Sequence, residues 1–159
     1  MADAESVELP IFNGEHPVKV DGSRRIMLPS RWLQAKTDGA PRAAELTVIV
    51  WSKSANGPCL RVLPMAKMAE LMKTLNEMAN NDPKKEVLKR VIGGGSMQVA
   101  VDKQGRITLP ESMAQAAGIE SDAIAVGLLD RFEIWSTSRR EAIKQSDAAL
   151  AHEAFQLLE

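Results

Sequence analysis

Apolar and other residues alternate in two separate stretches of the chain, and this pattern predicts short strands. Val18 and Val20 lie two residues apart, and so do Val99 and Val101. A period of two is typical of strands that bury one face. In each stretch a turn-forming sequence and a second short apolar run follow. Both stretches therefore predict a strand, a tight turn and another strand.

The two stretches are copies of one segment, because residues 16–29 match residues 97–110 in a single register, 81 positions apart. Seven of the fourteen positions are identical, which is unlike a chance match. The shared residues are Val18, Val20, Asp21, Arg25, Ile26, Leu28 and Pro29, which recur as Val99, Val101, Asp102, Arg106, Ile107, Leu109 and Pro110. The chain is therefore predicted to be a duplicated unit.

The repetition continues beyond the two prolines. The corresponding apolar runs are 46–50 with 123–126, and 60–63 with 132–135, and the first copy has longer loops at 38–42 and 52–58. Each unit is thus predicted as strand, turn, strand, short helix, strand, loop and strand. The short helix of the second copy spans 111–118, because Pro110 fits a first helical turn and Gly118 fits the position after the last. Its counterpart is 30–36, ending near Gly39.

Longer helices are predicted between the units and at the end of the chain. The first carries an apolar stripe at helical spacing, made of Met65, Met68, Leu71, Met72, Leu75 and Met78, and we expect it to pack against the sheet. Asp82 and Pro83 open a second helix, which the glycines 93–95 end. Its apolar face comprises Val87, Leu88, Val91 and Ile92. Ser138 and Glu141 fit a capping box for a last helix, with Ile143, Leu150 and Leu157 seven residues apart.

These elements predict a mixed α+β fold, mainly β, with peripheral helices. We expect five segments: an N-terminal arm (1–15), repeat one (16–64), a helical connector (65–96), repeat two (97–137) and a C-terminal helix (138–159). A chain of 159 residues can bury enough surface to fold without crosslinks. One Cys and two His leave too few ligands for a disulfide framework or a closed zinc site, and Cys59 is expected to be a small core residue.

Charge and composition narrow the function without deciding it. The net charge of −1, from 20 Lys and Arg against 21 Asp and Glu, argues against a generic basic nucleic-acid coat. It leaves room for positive charge concentrated on one face. Neither a signal peptide nor a membrane span is visible, so a cytoplasmic protein without a membrane partner is expected. No nucleophile elbow, phosphate-binding loop or metal cluster is present, so we expect neither an enzyme nor a cofactor.

The candidate binding chemistry lies at the two turns. Arg25 and Arg106 each follow a turn, four positions after Asp21 and Asp102. The planar fork of arginine can meet a guanine edge or a phosphate with two hydrogen bonds. The aspartate can brace the turn or pair with the guanidinium and orient it. The competing interpretation is that both arginines only pair with acids to hold the fold, but their recurrence at matching turns favours DNA contact.

Four further basic residues lie near the turns and are candidates for phosphate contacts, which position a protein on DNA without specifying sequence. They are Lys19, Arg24, Arg31 and Lys103. Repeat one departs from the pattern of repeat two here, because Arg24 stands where Gly105 braces the second turn, and Gly22 comes two positions earlier. Since arginine accepts a positive φ less readily than glycine, a different turn type is expected. This change would either move Arg25 away from the DNA-binding surface or add one positive charge, that of Arg24, to the surface.

Three segments of repeat two carry a resemblance to a known family. Residues 102–110, the helix end Ala117-Gly118-Ile119 and residues 126–135 resemble the second half of the bacterial MraZ family. The tandem layout, from about 16 to 135, is similar to the two SpoVT/AbrB-type units of that family. The resemblance implies a swapped-hairpin AbrB-like barrel in which the units play the parts of an AbrB dimer. It implies a nucleoid-associated transcriptional regulator that binds short direct repeats of double-stranded DNA, upstream of its division and cell-wall gene cluster.

The resemblance also implies a ring-like homo-oligomer. The residues favour the same conclusion, because the first long helix and the last one offer apolar surface beyond the needs of a small barrel. Two other functions stay open: an AbrB-type oligomeric scaffold without DNA affinity, and an antitoxin-like module that binds a protein partner. A helical rather than disordered tail from Ser138 counts against the antitoxin.

Overall fold

The computed structural model describes residues 11–33, 45–53 and 55–159. Its strands are β1 (Glu15–Lys19), β2 (Arg25–Met27), β3 (Glu45–Trp51), β4 (Cys59–Pro64), β5 (Ser96–Ala100), β6 (Arg106–Thr108), β7 (Asp122–Gly127) and β8 (Phe132–Trp135). Its α-helices are α1 (Met65–Glu77), α2 (Pro83–Gly94), α3 (Glu111–Ala116) and α4 (Thr137–Phe155), with 3-10 helices at Ser30–Leu33 and Gln156–Leu158. The chain is thus a mixed α+β protein.

The strands form two antiparallel sheets in which the predicted repeats exchange strands. The larger sheet has six strands in the order β1-β7-β8-β4-β3-β5, and β2 pairs with β6 in a separate two-stranded ribbon. The first strand of each repeat pairs with the third strand of the other, β1 with β7 and β5 with β3. β1 and β5 are the free edges of the larger sheet, so its strands do not close into a barrel within the described ranges.

The strand register is symmetric about two residue pairs. In the ribbon Ile26 lies opposite Ile107, its counterpart in the other repeat. In the larger sheet Arg61 of β4 lies opposite Glu133 of β8, again its counterpart. A pseudo-twofold axis therefore passes through both pairs, with the ribbon at one end. At the other end the duplicated position holds two opposite charges.

The main core fills the space between the ribbon and one face of the larger sheet. Ile26 and Ile107 point into it from the ribbon. Phe12, Trp32 and Phe132 pack together there, with ring centroids 4.8 to 5.6 Å apart. Tilted and edge-to-face rings at this spacing add to the free energy gained by burial.

The opposite face of the sheet is covered in part by α1 and α2. Ile49 and Leu63 are buried there against Leu75 of α1 and Ile92 of α2. The predicted methionine stripe packs against the sheet through Met68, Leu71, Leu75 and Met78. Met65 and Met72 stay exposed, at 56% and 53% of their surface. Cys59 is buried as predicted, and burial raises the pKa of its thiol to about 12.

The ends of the helices follow local chemistry, with one correction. Asp82 caps α2 by accepting the backbone N–H of Lys84, as the Asp-Pro pair predicted. The prediction that Ser138 opens the last helix is wrong. Ser136 is the N-cap, and its hydroxyl accepts the N–H of Arg139, because the helix begins directly after β8. In the parts of the chain that are described, no helix is long and apolar enough to cross a bilayer.

The short helix differs between the repeats. In repeat two α3 ends at Ala116, and Gly118 takes the expected positive φ of 70°. In repeat one the counterpart is the 3-10 helix Ser30–Leu33. The expected continuation towards Gly39, the long loop 38–42 and most of the N-terminal arm lie outside the described residues.

Candidate nucleic-acid interface

The two predicted turns have the same hydrogen bonds. The Oδ1 atom of Asp21 accepts the N–H groups of Ser23 and Arg25, at 2.9 and 2.8 Å. The Oδ1 atom of Asp102 accepts those of Gln104 and Arg106 at the same two distances. In each turn the aspartate N–H also donates to the arginine carbonyl. Asp21 and Asp102 therefore each bond the backbone of their own turn, as expected of residues that brace it.

The expected change of turn type in repeat one does not occur. Arg24 takes the left-handed φ of 61°, and Gly105 takes 84° at the matching position. The left-handed conformation costs a non-glycine residue roughly 1–2 kcal/mol. Two backbone hydrogen bonds hold Arg24 there: its N–H donates to Asp21, and its carbonyl accepts the N–H of Leu109 at 2.8 Å. The second bond comes from the other repeat, which is why the turn sequence alone predicted a different result.

Each aspartate also holds the guanidinium that follows. The Nε atoms of Arg25 and Arg106 donate to the Oδ2 atoms of Asp21 and Asp102, at 3.0 and 2.8 Å. The Nη2 atom of Arg106 also donates to Gln104 Oε1. Because Nε is held by the aspartate, the Nη atoms are the part of each guanidinium that other partners can use, as Gln104 does at Arg106. The backbone N–H groups, followed by the guanidinium, hold the pKa of both aspartates below its ordinary value.

Strand alternation places both arginines on one face of the ribbon. Ile26 and Ile107 are buried, whereas Met27 and Thr108 beside them are exposed. Arg25 lies opposite Thr108 and Arg106 opposite Met27, so the arginines are diagonal neighbours. Diagonal neighbours in an antiparallel pair are roughly 7–8 Å apart. A two-stranded ribbon of this kind is narrow enough for the DNA major groove.

The other predicted basic residues differ in their surroundings. Lys19, at the end of β1, pairs with Asp122 at 2.8 Å, and this contact raises the pKa of its ammonium group. Arg24 lies 3.8 Å from Glu111 at the start of α3. Arg31 and Lys103 are exposed and make no ion pair with another described residue. A groove of about 740 Å³ brings Lys19 and Lys103 together beside the ribbon, while Arg24 belongs to the turn at its other end.

Sequence reasoning missed three residues of this face. Gln104 holds the Arg106 fork, Glu111 neutralises part of the Arg24 charge, and Met27 exposes 52% of its surface between the arginines. Period-two alternation around Ile26 was the signal that would have placed Met27 outside. No local pattern connects Arg24 with Glu111, because the two belong to different repeats.

Comparisons with known proteins give one family model and a set of similar proteins. Residues 92–157 match the family model described as "MraZ protein, putative antitoxin-like". A protein of Acidithiobacillus ferrooxidans named Transcriptional regulator MraZ is 29% identical over 86% of this chain and 89% of its own. Proteins with the same name from Shewanella piezotolerans and Tolumonas auensis are 28% identical, over 90% and 81% of this chain and 91% and 82% of theirs. The match of the second repeat to this family model, together with these nearly full-length relatives, shows that the chain is similar to the MraZ family.

Proposed function

We propose that this chain is a transcriptional regulator that binds double-stranded DNA through the exposed face of the β2–β6 ribbon. The observation that carries the proposal is the matched pair of anchored arginines, Arg25 and Arg106, on one exposed face. A single ion pair that only stabilises a turn does not require the same Asp–Arg arrangement at two equivalent turns on one face. The name of the relatives, Transcriptional regulator MraZ, supports the same role.

The proposed contact combines base recognition with phosphate contacts. The Nη atoms of Arg25 or Arg106 can donate two hydrogen bonds to O6 and N7 of guanine in the major groove, in Arg106 through N–H groups that Gln104 does not use. Arg31 and Lys103 carry no described counter-ion, so they are suited to phosphates on either side. Lys19 and Arg24 must first be released from Asp122 and Glu111. Each Asp–Arg pair is close to neutral, so its contribution comes from directed hydrogen bonds more than from net charge.

We further propose a homo-oligomer, ring-like as in the family. A net charge of −1 gives a single chain little general attraction to DNA. Apolar side chains outside the core offer contacts between subunits: Val87, Leu88 and Val91 on α2, and Leu150, Phe155, Leu157 and Leu158 at the C-terminal end. The symmetric exchange of strands supports a swapped-hairpin AbrB-like unit as the building block. Several subunits would then engage several short direct repeats upstream of the division and cell-wall genes.

A band-shift assay on DNA from upstream of the gene tests this function. DNA with several direct repeats should bind the oligomer about 100-fold more tightly than DNA with one repeat, because the first contact raises the effective concentration for the others. Changing the spacing between the direct repeats, while keeping every repeat intact, should remove most of this gain in affinity. The affinity should fall steeply with salt, because phosphate contacts release counterions. Equal affinity for spaced, respaced and unrelated DNA at physiological salt would refute sequence-specific regulation.

A second candidate function is an antitoxin-like or scaffold protein that binds another protein. The words "antitoxin-like" in the family description and the exposed face of α2 favour it. The same assay separates the two, because a scaffold or protein-binding module has no salt-dependent preference for promoter DNA. Retention of a partner protein on the α2 face, without DNA affinity, would support this alternative.

A further inference from the structure

A second cleft lies on the side of the molecule opposite the ribbon, against α4. Leu60, Val62, Phe132 and Ile134 face the core shared with the ribbon, so the alternate residues of β4 and β8 face the cleft. Its lining includes Trp51, Lys53, Arg61, Glu133, Trp135 and Arg140, and its volume is about 430 Å³. The cleft therefore lies on the pseudo-twofold axis, at the end remote from the two turn arginines.

The floor of the cleft is a closed network of hydrogen bonds. Arg61 donates to Glu133 Oε2 through Nη2 at 2.6 Å and Nε at 3.0 Å. Trp135 donates its indole N–H to the other oxygen, Glu133 Oε1, at 2.9 Å. The guanidinium of Arg61 also lies over the ring of Trp51, 4.2 Å from its centroid. Both carboxylate oxygens of Glu133 are thus occupied by donors of the protein.

Two donors on the walls have no acceptor in the described structure. The indole Nε1 of Trp51 and the Nε of Arg140 are both buried and make no hydrogen bond. The Nη atoms of Arg140 face Glu15 at 2.8 Å and Asp147 at 3.6 Å, so only its Nε is unused. Lys53 lines the same cleft and pairs with no described acid. The buried groups without a partner in this cleft are therefore donors, and a buried donor without an acceptor is costly. The exposed carboxylate of Asp147 also lines the cleft, where it faces Arg140.

We propose that this cleft binds a small anion that carries a carboxylate or phosphate group on an apolar body. Acceptor oxygens of the anion would take the N–H groups of Trp51 and Arg140, and Lys53 would balance the charge. Val126, Leu128 and Ile143, with the two indole rings, supply apolar walls for the rest of the ligand. The volume falls within the range of small-molecule sites, which combine mostly apolar walls with a few polar groups.

Intrinsic fluorescence tests the site in the full chain without DNA, because Trp51 and Trp135 both line the cleft. The probes are benzoate and phenyl phosphate, with neutral benzyl alcohol and inorganic phosphate as comparisons. At least one of the two aromatic anions should quench the tryptophan fluorescence with saturation. It should bind about 10-fold or more tightly than both comparison compounds, because it combines apolar contact with charged hydrogen bonds. Which anion binds more tightly identifies the acidic group.

Two variants make the test specific. Trp51→Phe keeps an aromatic wall but removes the N–H donor, and Lys53→Gln removes the charge. Each should weaken binding of the aromatic anion by about 10-fold, measured as the concentration needed for a fixed rise in Tm above that of the ligand-free variant. Lys73→Gln, an exposed residue of α1 that does not line the cleft, should leave that concentration unchanged. Absence of saturation below about 10 mM, equal affinity for benzyl alcohol, or parental affinity in both cleft variants would overturn the proposal.

Discussion

Arg24 and Gly105 occupy the same left-handed position in two turns that are otherwise bonded alike, with φ of 61° and 84°. The carbonyl of each accepts an N–H from the other repeat, Leu109 for Arg24 and Leu28 for Gly105. Two features favour glycine at 105. Its φ is positive, and an added Cβ would lie 3.1 Å from Leu33 Cδ1. The exchanged strands thus impose one turn on two different sequences.

The first prediction concerns these two turns. Gly105→Ala should lower the free energy of unfolding by about 1–2 kcal/mol, because alanine is strained at a positive φ. Arg24→Gly should change it by less than about 1 kcal/mol, since relief of the same strain is offset by the greater chain entropy of glycine. Urea unfolding measures both. Gly93→Ala is the control, because a Cβ there meets no atom within 4 Å, and a loss of stability as large as that of Gly105→Ala would contradict this account.

The second prediction concerns the arginine forks. Arg106→Ala and Arg25→Ala should each abolish specific DNA binding while leaving the oligomer intact, because the two turns are built alike. Lysine at either position should not restore specificity, since it has no Nε to be anchored and no planar fork. Band shifts at physiological salt measure the loss. Arg90→Ala, an exposed arginine on α2, should bind like the parent, and parental binding by Arg106→Ala would show that the turn arginines are structural.

The third prediction concerns the charge pair on the pseudo-twofold axis. The Arg61 and Glu133 side chains are only 17% and 10% exposed, so removing one partner leaves a buried charge unpaired. Arg61→Met or Glu133→Leu alone should therefore cost about 3–5 kcal/mol of unfolding free energy. Combining Arg61→Met with Glu133→Leu should recover most of it, because a buried pair can be replaced by apolar groups. Additive losses in the double variant, measured by urea unfolding, would show that the two side chains are not coupled.

The fourth prediction is a pH dependence. The folded-state pKa values of Asp21 and Asp102 lie below their ordinary value of 3.8, chiefly because of the backbone N–H groups of Arg25 and Arg106. Their contribution to stability is therefore complete above pH 3.8 and is lost as the pH falls through the lower folded-state values. Asp102→Asn should flatten the acid limb of the unfolding profile. Arg106→Ala keeps the backbone N–H donors, so this variant should retain most of the loss of stability at low pH. If its profile were as flat as that of Asp102→Asn, the guanidinium rather than the backbone would cause the pH dependence.

The fifth prediction concerns assembly. Light scattering at tens of micromolar, a range in which weak assemblies form, should show a species larger than a dimer. Val91→Glu on α2 and Leu150→Glu on α4 should reduce its size, because both side chains are more than half exposed and lie outside the core. Gln115→Glu, at an exposed position of α3, is the control for added negative charge. A parent protein that is only monomeric would contradict both the oligomer and its proposed contacts.

Features that depend on neighbouring residues could be predicted from the amino-acid sequence. Strand alternation, the duplication, the aspartate-braced turns and the caps of α2 and α3 were predicted because backbone preferences and local hydrogen bonds decide them. The N-cap of α4 was misplaced by two residues, from Ser136 to Ser138, because both serines can cap and only the end of β8 selects one. The methionine stripe was predicted as packed, yet Met65 and Met72 are exposed because α1 turns only one side to the sheet.

The contacts between the two repeats could not be predicted from the sequence, because they depend on the tertiary structure. Arg61 and Glu133 are 72 residues apart and meet only because β4 pairs with β8. Arg25 and Arg106 share a face only because β2 and β6 align in one register, and Arg24 is held left-handed by an N–H of the other repeat. The donors of Trp51 and Arg140 likewise line one cleft through the packing of α4. These contacts join distant segments, and only the balance of burial and hydrogen bonding over the whole fold selects them.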